Sequence, residues 1–258
     1  MPKFQQIDVQ QVARLIGLPE APMILDVRLA EDAEACPVVI PTAQRQSHLA
    51  ALPQTDRQVV VVCKGGKKLS EGVAALVRAS GGRAEVLDGG MDAWVAAGLP
   101  VTKVSALPTS RLWVTRQRPK IDRIACPWLI RRFVDPEARF LYVAPSEVAA
   151  VAERFEAIPF DIPGVNFSHR GELCSFDTMI SVFGLSTPPL ERLATVVRGA
   201  DTDRHDLAPQ AAGLLALSVG LSRMYRDDLA QLEAGLGLYD ALYRWARDGF
   251  EESHDWTE

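Results

Sequence analysis

Apolar residues in the first hundred positions occur as short β-branched runs separated by stretches with helical spacing. The clearest run is the four consecutive valines at 59–62, which predict a buried strand, and helical spacing follows at 69–79. Weaker patterns predict strands at 22–28 and 83–87, helices at 7–15 and 91–97, a long loop at 29–44 and a helical turn at 47–52. Because strands alternate with helices, we expect a parallel α/β sheet with functional residues at the carboxyl ends of its strands.

After a short linker at 102–109, which contains a proline, the pattern changes to long helical stretches with few strands. Strands are predicted at 111–115, 138–143 and 158–161, and helices at 122–133, 147–155, 189–198, 209–220 and 227–247. We therefore predict two domains: an α/β domain at 1–104, with a parallel sheet flanked by helices, and a mainly helical α+β domain at 111–250. The acidic C-terminal tail is expected to fray.

Composition indicates a globular protein with a hydrophobic core. The 258 residues are 48% hydrophobic and 24% charged, which are ordinary values for this class. No apolar run approaches the roughly 20 residues of a membrane span, and the N-terminus lacks the apolar core of a secretion signal, so we expect a cytoplasmic location. The four cysteines include no Cys-x-x-Cys pair, which favours free thiols in a reducing compartment.

The net charge of −5 conceals a basic segment at 111–139, which has eight Lys or Arg against three Asp or Glu. Such a segment can receive a small anion or a nucleic-acid backbone, or its charges can be solvated or paired internally. DNA is the less favoured partner, because the overall charge is negative and neither a helix-turn-helix nor a zinc-finger pattern is evident.

The most informative segment for chemistry is the turn between the valine strand and its helix. Cys63 ends the strand, and the turn that follows is rich in glycine and lysine: Lys64, Gly65, Gly66, Lys67 and Lys68. Backbone N–H groups and the helix N-terminus favour an anion there, and together with the lysine charges they lower the pKa of a thiol. The alternative is a buried cysteine beside a solvated basic turn.

These segments resemble the rhodanese family over 5–102. The residues that carry the resemblance are Leu25, Asp26, Val27, Arg28, Cys63, Gly66, Lys68, Val86, Leu87, Gly89, Gly90, Trp94, Gly98 and Pro100. The resemblance implies that Cys63 takes a sulfane sulfur from a small-molecule donor as a persulfide and passes it to a thiol acceptor, without an organic cofactor. It also implies that the 64–68 turn binds the donor. Asp26 and Arg28 are counted among the binding residues and are expected to position the strand and the loop.

Two departures from the rhodanese pattern bear on the donor. Lys68 stands where arginine is commoner, so the charge remains but a flat bidentate grip on an oxyanion is lost. The hydroxyl usual after that residue is replaced by Leu69, with Ser70 one place later, which argues against thiosulfate as the donor. Leu69 also stands at the sixth position after Cys63, where the related phosphatases need arginine, so phosphatase activity is not expected.

Two groups of potential metal ligands lie in the second half of the chain. They consist of His169, Glu172, Cys174 and Asp177, followed by Asp201, Asp203 and His205. If 173–182 is helical, Cys174 and Asp177 share one face of the helix. From these groups we predict a divalent metal site, for iron, manganese or zinc, at His169, Asp177 and Asp201. The alternative is a hydrogen bond that anchors a loop for His169, and helix or turn capping for the two aspartates.

Five segments of the second half, RPKIDRIACPWLIRR (118–132), SH (168–169), CSFD (174–177), VRGAD (197–201) and YDALY (239–243), resemble the C-terminal domain of the ChrB-type chromate-resistance proteins. The resemblance covers about 113–245 and implies a link to chromate resistance and to the regulation of chromate efflux. Chromate is a tetrahedral dianion, so Lys120, Arg123 and Arg131 are predicted oxyanion contacts. Cys126 is expected to pack in the core.

These observations predict a chromate-resistance-associated protein with two parts. One is a cysteine-persulfide sulfurtransferase domain, and the other binds a metal ion or an oxyanion such as chromate. The alternative is a non-catalytic sensor or transcriptional regulator of chromate efflux, which would contact DNA through 111–139. A third interpretation is that the second domain is itself a metalloenzyme.

Overall fold

The computed structural model describes residues 5–252, and these divide into two units. One unit runs to Leu107 and takes in Arg132–Pro136, and the other holds the remaining residues from Pro108 onward. The first four residues and the end of the predicted acidic tail, 253–258, lie outside the described part of the chain. None of the described helices combines the length and the apolar composition that crossing a membrane requires.

The first unit is built around a parallel sheet of five strands. Its elements are, in chain order, β1 Gln6–Ile7, α1 Val9–Leu15, β2 Met23–Asp26, α2 Ala30–Ala35, β3 Val38–Val39, β4 Gln44–Arg45, β5 Val59–Val62, α3 Lys68–Ala79, β6 Ala84–Leu87, α4 Gly90–Ala96 and β7 Thr102–Lys103. The sheet order is β1-β6-β5-β2-β4, and a separate antiparallel pair joins β3 to β7. All four valines of β5 are buried because this strand lies at the centre of the sheet. The predicted parallel α/β fold is confirmed.

The register of β2 against β5 sets the position of the first candidate site. Asp26 lies opposite Val62, the last residue of β5, so Asp26 and Cys63 both lie at the carboxyl edge of the sheet. The helix α3 packs Val73 and Val77 into the same hydrophobic cluster as the Cys63 side chain. The thiol is therefore held where a strand ends and a helix begins.

The structure corrects two expectations for the segment between β2 and β5. Residues 29–44, predicted as a long loop, contain α2, β3 and the start of β4. The Arg28 guanidinium donates hydrogen bonds to the carbonyls of Cys36 and Val38, which orders this segment in a way that no periodic pattern signals. Residues 47–52 form a hydrogen-bonded turn but not the helical turn that was expected.

The second unit combines a small parallel sheet with long helices. Its elements are β8 Leu112–Arg116, α5 Asp122–Phe133, β9 Arg139–Val143, α6 Val148–Phe155, β10 Ile158–Pro159, α7 Ser175–Phe183, α8 Pro188–Asp201, α9 Gln210–Met224 and α10 Asp228–Asp248. The sheet order is β10-β8-β9, so β8 is the central strand. The mainly helical α+β class is confirmed, and the predicted elements of this half are present with small shifts at their ends.

Aromatic side chains form much of the core of the second unit. Trp113 of β8 packs edge-on against Phe167, with ring centroids 5.2 Å apart. Trp128 of α5 is fully buried, and its ring centroid lies 5.5 Å from that of Tyr243 on α10. Large apolar contacts of this kind fix the position of α5. They also fix the position of Asp122, the first residue of that helix.

Candidate functional site

The Cys63 thiol lies between β5 and α3 and has hydrogen-bond partners on two sides. Its sulfur is 3.1 Å from the Ser70 hydroxyl oxygen and 3.4 Å from the backbone nitrogen of Lys67, which donates its N–H. The Ser70 hydroxyl also donates to the Lys67 carbonyl at 3.0 Å. A hydroxyl has a single hydrogen, so the neutral thiol donates to Ser70, whereas a thiolate would accept that hydrogen from Ser70.

Burial opposes the ionisation of Cys63, but the hydrogen bonds outweigh it. The residue is only 5% exposed, and desolvation acts to raise the pKa of its thiol. The Ser70 hydroxyl and the backbone N–H groups of Lys67, Ser70 and Gly66 act in the opposite direction. The net result is a Cys63 pKa below its ordinary value, which increases the fraction of reactive thiolate at neutral pH.

The glycine turn at the start of α4 supports the cysteine loop. Met91 donates its backbone N–H to the Cys63 carbonyl at 3.0 Å. Gly66 and Gly90 both adopt positive φ angles, +63° and +59°. A Cβ atom on Gly90 would lie 2.3 Å from the carbonyl oxygen of Cys63 and 2.5 Å from the nitrogen of Gly66. Glycine at these positions therefore lets α4 approach the loop closely enough to fix its shape.

Lys64, Lys67 and Lys68 place their side chains on the exposed side of the loop. The Lys64 ammonium lies 3.5 Å from the carboxylate of Asp32 on α2, and its side chain is 59% exposed. The described contacts of the sulfur come from the Lys67 N–H and the Ser70 hydroxyl instead. Any influence of the lysine charges on the sulfur is therefore exerted over distance and through solvent.

Asp26 and Arg28 form a buried ion pair at the same edge of the sheet. The Arg28 Nη2 atom lies 2.7 Å from Asp26 Oδ2, and the two residues are 4% and 2% exposed. Other Arg28 N–H groups donate to the carbonyls of Cys36 and Val38, at 3.0 and 2.7 Å. Because its donors are engaged within the protein, the pair positions the edge of the sheet. This agrees with the expectation that the two residues position the strand and the loop, whereas a role in binding substrate stays a prediction.

A second group of titratable side chains converges on one nitrogen of His169. Its Nε2 atom lies 3.4 Å from an oxygen of Asp122, 3.5 Å from one of Asp161 and 3.2 Å from one of Asp201. One side-chain atom each from Asp122, His169 and Asp201 lie within 4.8 Å of one another. The Asp122 side chain is 1% exposed, whereas those of Asp201 and His169 are 20% and 41% exposed. The group therefore extends from the core to the surface.

These residues come from different elements near the carboxyl edge of the small sheet. Asp161 follows β10, Asp122 begins α5 and Asp201 ends α8. Ile121 immediately before α5 has a φ of +43°, in a region that β-branched residues avoid. The hydroxyl of Tyr239, on α10, donates to the Ile121 carbonyl at 3.1 Å and helps to hold this turn. The backbone that delivers Asp122 is therefore fixed by tertiary contacts.

The N-terminus of α7 and two arginines hold the buried carboxylates. Ser175 donates its backbone N–H to Asp122 at 2.6 Å and its hydroxyl to Asp161 at 2.8 Å. Arg116 donates to Asp161 at 2.9 Å, and the Arg123 Nε atom lies 3.4 Å from the same carboxylate. Asp161 is therefore balanced by arginines. Asp122 has no arginine or lysine partner among the described residues, and the basic side chain that it faces is His169.

Crowding of the carboxylates shifts their pKa values in different directions. Burial and the neighbouring negative charges raise the pKa of Asp201 to about 7, and burial likewise raises the pKa of Asp122. Burial acts upward on Asp161 too, but hydrogen bonds, first from His169, outweigh it and lower its pKa. Hydrogen bonds to Asp122 and Asp161 raise the pKa of His169 to about 10. Near neutral pH this cluster therefore holds protons that isolated groups would not.

Asp177 is not part of the group around His169. One of its carboxylate oxygens lies 2.5 Å from the Arg198 guanidinium, and the other accepts the backbone N–H of Cys174 at 3.1 Å. Asp177 thus caps α7 and forms a largely buried ion pair, which is the alternative role named for it above. This corrects the predicted set of His169, Asp177 and Asp201. In the structure, the residues grouped together are Asp122, His169 and Asp201.

Two of the three predicted oxyanion contacts pair with different carboxylates of the second unit. Arg123 pairs with Asp161 at 3.4 Å, and Arg131 pairs with Glu233 at 2.6 Å. Lys120 is exposed. Each arginine is thus held by its own carboxylate, and the expectation that these three residues contact an oxyanion stays a prediction.

Three residues of these sites are not predicted from the sequence: Ser70, Asp122 and Asp161. The two aspartates lie in the segments that follow β8 and β10. The rule that parallel strands present functional groups at their carboxyl ends, applied to this half of the chain, would have pointed to both. Ser70, which from sequence is only a displaced hydroxyl, contacts the Cys63 sulfur because α3 begins at Lys68 and turns residue 70 toward it.

The first unit combines a parallel sheet, a cysteine at the end of its central strand and a glycine-supported loop around the thiol, which defines a rhodanese-like domain. The family model of the rhodanese-like domain matches 8–97. The family model of the ChrB C-terminal domain matches 113–246, about half of the chain. The chain therefore belongs to the ChrB C-terminal domain family and carries a rhodanese-like domain before that region.

Individual relatives match one unit each. Protein ChrB of Cupriavidus metallidurans is 38% identical over 135 residues, which are 52% of this chain and 40% of that protein. A sulfurtransferase of Allochromatium vinosum is 31% identical over 101 residues, which are 37% of this chain and 92% of that protein. The crystal structure of thiosulfate sulfurtransferase from Pseudomonas aeruginosa is 30% identical, with a TM-score of 0.34, over 40% of this chain and 20% of that one. The chain spans about two fifths of the length of the ChrB relative.

Proposed function

We propose that this chain is a chromate-resistance protein whose first unit is a cysteine-persulfide sulfurtransferase. The observation that carries the proposal is the pair of hydrogen-bond partners at the Cys63 sulfur, the Lys67 N–H and the Ser70 hydroxyl. Both favour a negatively charged sulfur, which the reaction needs as a thiolate before transfer and as a persulfide after it. The match to the rhodanese-like domain and the similarity to a sulfurtransferase support the same class of reaction.

The first half-reaction loads Cys63 with sulfur. The Cys63 thiolate attacks the outer sulfur of the donor, so that a new S–S bond forms as the donor's own bond to that sulfur breaks. With thiosulfate as the donor, sulfite leaves with the electron pair of the broken bond. Cys63 becomes a persulfide anion and the total charge is unchanged.

The second half-reaction returns the enzyme to its starting state. An acceptor thiolate attacks the outer sulfur of the persulfide, a new S–S bond forms on the acceptor, and Cys63 leaves as a thiolate. The leaving step is favoured by the same contacts that lower the Cys63 pKa. No oxidant or reductant is consumed over the cycle.

The three exposed lysines of the loop would attract an anionic donor without gripping it. An ammonium group is a compact charge, whereas a guanidinium matches a flat oxyanion with two parallel hydrogen bonds. Lys64, Lys67 and Lys68 therefore suit anionic donors that differ in shape, such as polysulfide or mercaptopyruvate.

The role in chromate resistance is inferred from the similarity of the second unit to ChrB. In that setting the first unit would supply reduced sulfur during chromate stress. The alternative, a sensor that contacts DNA through 111–139, is less favoured because basic side chains of that segment are engaged. Arg111, Arg118 and Arg131 each pair with an acidic side chain within the second unit.

Intact mass spectrometry tests the persulfide step. The full chain is incubated in turn with thiosulfate, mercaptopyruvate and polysulfide, and a gain of one sulfur, about 32 Da, is expected with at least one donor. Cys63→Ala should abolish the gain, and Cys36→Ala, at a half-buried cysteine of the same unit, should retain it. An absence of the gain with all three donors would refute the sulfurtransferase proposal and favour a non-catalytic sensor.

A further inference from the structure

We propose that Asp122, His169 and Asp201 bind a divalent first-row transition-metal ion of the Mn²⁺ or Fe²⁺ type. These residues come from the start of α5, the segment before α7 and the end of α8, yet one side-chain atom of each lies within 4.8 Å of the others. The inference stands on this geometry and on the environment of the buried carboxylate. It does not depend on the proposed chemistry of Cys63.

The two distances from His169 fit a common metal ion better than a pair of hydrogen bonds. His169 Nε2 lies 3.4 Å from Asp122 Oδ2 and 3.2 Å from Asp201 Oδ2. Bonds of about 2.1 Å to a central ion place neighbouring ligand atoms roughly 3.0–3.4 Å apart in octahedral or tetrahedral geometry. A single N–H on Nε2, by contrast, can align well with only one carboxylate oxygen.

The buried carboxylate has an oxygen that lacks a partner. Asp122 is 1% exposed, and its Oδ1 atom has no hydrogen-bond partner among the described residues. Its other oxygen accepts the Ser175 N–H and faces His169 Nε2. Buried polar atoms are nearly always paired, so the incomplete pairing of the Asp122 carboxylate points to a cation that completes it.

Access and the roles of the neighbours agree with a single exchangeable ion. The His169 side chain is 41% exposed and that of Asp201 20%, so an ion can reach the site from solvent. Asp161 also faces His169, but Arg116, Arg123 and the Ser175 hydroxyl already engage its oxygens. Asp161 is therefore a positioning residue for His169 and not a ligand.

The donor set indicates the class of ion. One imidazole nitrogen and carboxylate oxygens, with no thiolate among the ligand atoms, suit Mn²⁺ or Fe²⁺, and the imidazole disfavours Mg²⁺ and Ca²⁺. The remaining coordination positions would be filled by water or by a small anionic ligand. The chain itself would supply three ligands, and the site would face solvent on the His169 side.

A Mn²⁺ titration of the chelator-treated full chain, followed by electron paramagnetic resonance of the free ion, tests this site. We expect one Mn²⁺ per chain, at least a tenfold loss of affinity in His169→Ala and in Asp201→Asn, and unchanged binding in Cys63→Ser. His205→Ala and Asp203→Asn, which change the same residue types in the adjacent segment, should bind as the wild type does. Circular dichroism of each variant checks that it is folded.

Three outcomes would overturn the proposal. One is the absence of stoichiometric Mn²⁺ binding, and another is an equal loss of Mn²⁺ affinity in the site variants and in the two controls. Either would mean that His169 and the carboxylates are held together by hydrogen bonds and not by a metal ion. Tighter binding of Mg²⁺ than of Mn²⁺ would contradict the assigned class of ion. Because Cys63→Ser is predicted to bind Mn²⁺ normally, failure here is distinct from failure of the sulfur-transfer proposal.

Discussion

Replacing Gly66 by alanine should distort the cysteine loop, whereas the same change at Gly65 should not. Gly66 has a φ of +63°, and a Cβ atom there would lie 2.4 Å from the Leu87 carbonyl oxygen and 2.8 Å from the Gly90 nitrogen. Both contacts are with backbone, which cannot rotate away. At Gly65 the added Cβ meets no atom within 4 Å, and φ is not in the left-handed region.

The magnitude follows from two separate effects. The left-handed backbone costs a non-glycine residue roughly 1–2 kcal/mol, and forcing a methyl group into a packed site costs about 1–3 kcal/mol. Gly66→Ala should therefore destabilise the first unit by about 2–5 kcal/mol. If the loop shifts to relieve the contacts, the Lys67 N–H moves away from the Cys63 sulfur. A lost hydrogen bond to a charged group, about 1.5–3 kcal/mol, lowers the rate of persulfide formation tenfold or more.

Two measurements check this prediction. Hydrogen exchange of peptides from β5 and α4 in increasing urea reports the stability of the first unit alone, and intact mass reports the rate of persulfide formation. Gly65→Ala should match the wild type in both. Equal stability of the two alanine variants, or full sulfur loading of Gly66→Ala at the wild-type rate, would refute the role assigned to this glycine.

Three further predictions follow from the contacts described. Ser70→Ala should slow alkylation of Cys63 by iodoacetamide about tenfold below the thiol pKa, because the hydroxyl that stabilises the thiolate is lost, and the variant and wild-type rates should converge at high pH; unchanged rates at low pH would contradict this. Arg28→Met leaves the Asp26 carboxylate buried without its partner and should destabilise the first unit by about 3–5 kcal/mol in urea, whereas Arg45→Met at an exposed position should have little effect. Asp177→Asn should lower the stability of α7 by about 1–3 kcal/mol but leave Mn²⁺ affinity unchanged, and a loss of Mn²⁺ binding would restore this residue to the metal site.

Local periodicity was sufficient to predict most of the elements. The run 59–62 is recognisable as a central strand because four adjacent β-branched apolar residues must all be buried. The segment 29–44 was predicted wrongly because its order comes from the guanidinium of the preceding Arg28 and from pairing of β3 with β7, neither of which leaves a period in the sequence.

The two sites differ in how many of their residues can be predicted from the sequence. The groups around the thiol, from Cys63 to Ser70, lie within eight consecutive residues, so a strand, a turn and a helix start suffice to bring them together. Asp122 and Asp201 are far apart in the chain, and the choice among the many aspartates near His169 depends on distances in space. Asp177 illustrates this, because its short sequence separation from His169 led to the wrong partner.

What the sequence by itself determined is most of the strands and helices, the division into two domains as a prediction, and the residues of the cysteine loop, because each depends on residues that are neighbours in the chain. Only the tertiary structure decided that Asp26 and Arg28 form a buried ion pair and that Asp122 faces His169. It also decided that Arg123 and Arg131 pair with separate carboxylates. The physical reason is that ion pairing and burial depend on which ends of strands and helices lie together at the edge of a sheet. Packing of the whole unit determines which ends these are.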